Sequence, residues 1–138
     1  MNRRDFQELS KKRRLEARSL LSAQHYHGAY YLAGYSLECA LKACIAKQTR
    51  RHQFPDKKLA NEAFQHDLTK LLQVSGLQPD FEKELRANSV FQVNWTIAKD
   101  WSEVSRYDLT LTQAQARDLY VACTARQNGI LSWISRRW

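Results

Sequence analysis

The sequence predicts an all-α protein, a single domain over residues 1–138 folded as an up-and-down bundle of four or five helices. Apolar residues recur at three- and four-residue steps along most of the chain, and no alternating strand pattern competes with them. Only 4 Gly and 2 Pro interrupt the 138 residues. With 43% hydrophobic and 26% charged residues, the chain is long and apolar enough for one real core.

The first helix is expected over 5–24, with Phe6, Leu9, Ala17, Leu20, Leu21 and Gln24 on its inner side. Lys11, Lys12, Arg13 and Arg14 interrupt that stripe, so its first half is expected to project beyond the core. A second helix is expected over 26–48. Its buried face is Tyr26, Tyr30, Ala33, Leu37, Ala40, Leu41 and Cys44. Beside that face runs a second line, Tyr31, Tyr35, Glu38 and Lys42, in which Glu38 and Lys42 stand in the favoured i,i+4 order. Gly28 and Gly34 weaken a helix unless another chain segment approaches closely. A loop with a short helix over 57–64 follows. A compact helix over 67–74 stops at Gly76, and Pro79 opens the next at a position where its missing N–H costs nothing. The stretch 90–108 is apolar, aromatic and polar by turns and takes no assignment. The last helix opens on Thr112 and Gln115, which have capping-box spacing. Its apolar stripe runs to Ile134, with Gly129 as a place to bend or break.

The net charge of +8 favours an anionic partner, of which nucleic acid is the commonest. In an alternating bundle Lys11, Lys12, Arg13, Arg14, Lys47, Arg50, Arg51, Arg136 and Arg137 gather at one pole. They either neutralise phosphates or complement helix C-termini. No run approaches the ~18 apolar residues needed to cross a bilayer. The N-terminus passes straight into charged sequence, so no membrane association and a cytoplasmic setting are expected. Cys39, Cys44 and Cys123 are an odd number without a CxxC, which fits buried reduced thiols. The four histidines offer no metal-ligand spacing, and neither a metal nor another cofactor is expected.

The most informative stretch is 94–107, where Trp95 and Trp101 are followed by Arg106 and Tyr107 with Lys99, Asp100 and Glu103 between. Arg106 suits bidentate phosphate binding, or pairs with Glu38 or Asp100 inside the bundle. His66 is either a general base or, with Asp67, a helix cap. Glu38 and Lys42 are expected to form a polar seam in the bundle or dimer interface, the alternative being catalytic groups, and Asp67 and Asp100 are expected in the same structural seam. Trp101 and Tyr107 join the basic residues as candidate nucleic-acid contacts, the alternative for Trp95 and Trp101 being core or interface.

The run 30–43 (Tyr-Tyr-Leu-Ala-Gly-Tyr-Ser-Leu-Glu-Cys-Ala-Leu-Lys-Ala), then His66-Asp67-Leu68, then Arg106-Tyr107, resembles the HEPN domain. The resemblance covers nearly the whole chain. It implies an all-α bundle that homodimerises, with relatives in toxin–antitoxin, defence and RNA-processing systems, often beside a nucleotidyltransferase. Many relatives are metal-independent ribonucleases with an Arg-x(4–6)-His motif near the last helix. Here no histidine follows Arg106, and Arg18 and His25, which have the formal spacing, stand at the end of the first helix. Three functions follow as expectations. The first is a module binding RNA or another anionic partner. The second is a ribonuclease with an atypical Arg106/His66 site. The third is a subunit docking a nucleotidyltransferase or antitoxin.

Overall fold

The computed structural model describes residues 1–49 and 56–138. Within them the regular structure is all helical, with no strand. The α-helices are α1 (Arg3–Ser22), α2 (Tyr26–Lys47), α3 (Lys57–Ala63), α4 (Leu68–Val74), α5 (Gln78–Ala87), α6 (Ser89–Lys99), α7 (Gln113–Thr124) and α8 (Ile130–Ser135); a 3₁₀ helix covers Glu103–Tyr107. The expected four or five helices become eight because the connectors carry short helices of their own and the last helix is broken.

Helix α2 is the hub. It buries 12 of its 22 residues, which requires neighbours on several sides, and α1, α3, α4, α7, α8 and the 3₁₀ helix all pack on it. Leu37 and Leu41 are fully buried, each contributing about 1.5–3 kcal/mol by leaving water. Helix α1 lies antiparallel to α2. A tight turn at Gln24 joins them, with φ 65°. Leu20 packs over Gly28, and the Ser10 hydroxyl donates to the Ser36 carbonyl at 2.7 Å. Ser10 is fully buried, so the first half of α1 lies against the core instead of projecting from it.

On the other side, α5 and α6 form a hairpin over α7 and α8. Phe81 is its pivot, edge-on to Phe91 (5.0 Å), Trp95 (4.9 Å) and Trp133 (5.3 Å). Such pairs add about 0.5–1.5 kcal/mol each beyond burial. Trp95 is therefore a core residue and not a base-stacking platform. The expected continuous last helix stops at Thr124. Asn128 takes a left-handed φ of 66° and its carbonyl accepts from Asn94 Nδ2 at 2.8 Å. Gly129 then caps α8; a Cβ there would sit 2.3 Å from the Ala125 carbonyl oxygen.

Other local signals act as the sequence expects. Thr112 and Gln115 close a capping box, Asp67 caps α4, and Gly76 has φ +81°. No helix among the described residues is long and apolar enough to cross a membrane.

Candidate functional site

The line Tyr31, Tyr35, Glu38 and Lys42 forms one face of α2, and the candidate site is built on it. At its centre is Glu38, whose side chain is 2% exposed. Its Oε1 accepts from Lys42 Nζ at 2.9 Å and meets His66 Nδ1 at 2.9 Å. Two donors converge on one oxygen, while the buried Oε2 has no partner among the described residues. A buried carboxylate with a salt-bridged lysine can only accept, so Nδ1 of His66 carries the ring proton facing it. The Nε2 edge is left for solvent, since the His66 side chain is 47% exposed. His66 thus does more than cap α4, a task that Asp67 performs through Lys70 N at 3.0 Å.

One turn before Glu38, Gly34 leaves room for Trp101. The indole lies flat against the bare backbone, is 3% exposed, and stacks on Tyr31 at 6.1 Å. Tyr31 stacks in turn on Tyr35 at 5.9 Å, and Arg13 lies over the Tyr35 ring at 5.8 Å. Trp101 was expected among the nucleic-acid contacts, yet both neighbours cover its faces, so it anchors the 3₁₀ helix to α2 and has no open face for a base.

Arg106 sits on that 3₁₀ helix, exposed, its guanidinium 4.9 Å from the centre of the Tyr107 ring. The Tyr31 hydroxyl, then Tyr107, raise its pKa from an already high ordinary value. It forms no ion pair among the described residues. The expected alternative of pairing with Glu38 is not realised, because Lys42 and His66 occupy that carboxylate. Asp100 caps the end of α6, exposed, and stands outside the seam. Tyr107 is 73% exposed, so of the two aromatics expected to contact nucleic acid it is the accessible one, with the Arg106 guanidinium over its ring.

The cationic pole is only partly assembled. Arg3 donates to the Trp138 carbonyl, and Lys47 Nζ donates to the Arg137 carbonyl at 2.9 Å, so the start of α1 and the ends of α2 and α8 do meet. Arg136 follows directly on α8 at the same end. The Arg137 guanidinium is committed to Trp133, 3.6 Å above its ring. Lys11, Lys12, Arg13 and Arg14 do not join this end. They lie about 12–16 Å further along α1 at ~1.5 Å per residue, beside Ser36 and Tyr35. Lys11 pairs with Glu8, and Arg13 with Glu16. Arg50 and Arg51 lie outside the described residues.

His66 opens into a cavity of about 470 Å³ whose cations are Lys70, which sequence reasoning passed over, and Lys99, which it noted in the stretch 94–107 without giving it a role. Arg106 does not line it. A larger cavity of about 960 Å³ lies between α1, α2 and α3, with Phe6, Leu9 and Leu59 in its walls and Glu38 and Lys42 at its edge. It reaches Thr49 and Asp56, which border the undescribed segment. Burial pushes the Cys39 and Cys123 thiols up to about 12 and Cys44 up to about 11, so none is a poised nucleophile. Among the described residues no group of three or more His, Cys, Asp or Glu is placed to hold a metal ion.

Set against protein-family models, curated proteins and solved structures, the chain matches none of them.

Proposed function

We propose that the chain is a HEPN-like helical module that binds RNA or another anionic partner, as a homodimer in a defence or toxin–antitoxin setting. The observation that carries this is Arg106. An exposed guanidinium 4.9 Å from the centre of the exposed Tyr107 ring, with no ion-pair partner among the described residues, is free to take a counter-charge from a ligand. A phosphate supplies that charge in bidentate geometry, and Tyr107 offers a face to a neighbouring base. The +8 net charge supplies long-range attraction. Fluorescence anisotropy with a labelled single-stranded RNA at two salt concentrations tests it. Binding is expected at low salt, with Arg106→Ala lowering affinity for all sequences alike and reducing the salt slope by about 0.7. Undetectable binding at low salt excludes it.

The Glu38–His66 bond favours a second reading, a metal-independent endoribonuclease with His66 as general base; Arg106, which does not line the His66 cavity, would have to reach the scissile phosphate from outside it to stabilise the developing phosphorane charge. RNA incubated with the protein in EDTA is then cleaved, and His66→Ala and Arg106→Ala both abolish cleavage. Cleavage that persists in both variants removes this site from consideration.

A further inference from the structure

We infer that His66 is a phosphoryl-acceptor site, with Nε2 as the nucleophile, and that Lys70 and Lys99 receive the incoming group. This goes beyond RNA binding and does not rest on it.

Three independent features converge on this imidazole. Its Nδ1 is tied at 2.9 Å to Glu38, a carboxylate whose position is fixed by burial and by Lys42. That bond sets the tautomer and presents the Nε2 lone pair outward. The ring is 47% exposed and lines a cavity of about 470 Å³, so a small donor reaches Nε2. Lys70 and Lys99, from α4 and α6, line the same cavity, and neither forms an ion pair among the described residues. Two carboxylates line the same cavity, Asp67, whose Oδ1 accepts from Lys70 N at 3.0 Å, and Glu103, whose Oε2 faces the Ser102 hydroxyl at 3.4 Å, and neither forms an ion pair with Lys70 or Lys99 among the described residues.

The chemistry balances with a phosphoramidate or acyl phosphate as donor. Nε2 attacks phosphorus and a N–P bond forms. The donor's P–N or P–O bond breaks, and its electron pair leaves with ammonia or with the carboxylate. The ring becomes positively charged while Nδ1 keeps its proton. Glu38 stabilises that charge, as a buried carboxylate does for an imidazolium. The transferred group carries its negative charge to the two ammonium groups, where preorganised cations lower the barrier.

The other described histidines lack this arrangement. His25 caps α2 without a side-chain bond, and His27 Nε2 is engaged at 3.1 Å with the Leu109 carbonyl oxygen. They are internal controls in the same molecule. The full-length protein is incubated with potassium phosphoramidate at neutral pH, and phosphorylation at each histidine is followed by peptide mass spectrometry, with the ring isomer assigned by phosphorus NMR. His66 is expected to react at least about tenfold faster than His25 and His27, giving the Nε2 isomer, and Glu38→Gln is expected to remove that advantage. Because Glu38→Gln perturbs a buried group, the exposed pair Lys70→Met and Lys99→Met gives a second reading, a slowing at His66 alone with an unchanged circular dichroism spectrum. Equal rates at the three histidines, an Nδ1 product, or a Lys70→Met/Lys99→Met protein that reacts like the parent each overturn the assignment.

Discussion

Replacing Gly34 by alanine tests the joint on which the whole site depends. An ideal Cβ at this position would lie 2.2 Å from both Cδ1 and Cγ of Trp101 and 2.3 Å from Cδ2. Carbon atoms pack at about 3.5–4.0 Å, so the indole would have to retreat by roughly 1.3–1.8 Å. It has little freedom to do so, being 3% exposed and stacked on Tyr31. Overpacking of a rigid, buried group costs about 1–3 kcal/mol or more, and the upper end applies here. Alanine returns about 0.5–1 kcal/mol by restricting the unfolded chain and favouring helix. The net loss is about 2 kcal/mol, equivalent to roughly 1 M in the urea midpoint for a domain of this size. Urea denaturation of Gly34→Ala, Trp101→Ala and the double variant provides the cycle. In the Trp101→Ala background the added methyl should be neutral or stabilising. A Gly34→Ala protein as stable as the parent would refute the close approach, as would an equal loss in both backgrounds.

Other consequences follow from the same geometry. Glu38→Ala strands Lys42, only 13% exposed, without its counter-ion, so stability measured by denaturation should fall by about 3–5 kcal/mol. Exposed Arg106→Ala should change it by no more than ~0.5 kcal/mol. The thiols supply a pH dependence. Their folded pKa values are raised above the ordinary 9.0 by burial, so their contribution to stability is complete below pH 9.0 and is lost as pH rises toward about 11 for Cys44 and about 12 for Cys39 and Cys123. Iodoacetamide at pH 8 should therefore leave all three unlabelled in the folded protein and label them in urea; rapid native labelling would show that the thiols are accessible.

Much of this arrangement is legible in the sequence wherever it depends on near neighbours along one helix. The i,i+4 spacing of Glu38 and Lys42 announces their ion pair, and the line they share with Tyr31 and Tyr35 is the face that carries the site. Gly34 signals a close approach without naming Trp101 as the group that arrives. Asp67 and Thr112 declare helix starts because a cap needs only a few adjacent residues. The stretch after Val90 is obscure for a physical reason. Phe91, Trp95 and Ala98 keep a helical period, which the turn at Asp100 and the 3₁₀ helix then reset, so no single period fits 90–108. The break between α7 and α8 hides because Cys123, Ile130 and Ile134 all reach the same core across it. The His66–Glu38 bond and the meeting of Lys70 with Lys99 join residues about 28 apart in sequence, beyond the reach of any local pattern. The cationic pole failed in part because helix direction alone does not say how far along its axis a charge lies.

The measurement that bears most directly on the proposed anion-binding role is nitrogen-detected NMR of the arginine guanidinium groups during titration with a single-stranded RNA. The Arg106 signal should shift and slow its exchange with water at low salt, and the Trp101 indole signal, covered by Gly34 and Tyr31, should stay in place. An Arg106 signal that remains unmoved while the RNA binds elsewhere would contradict it.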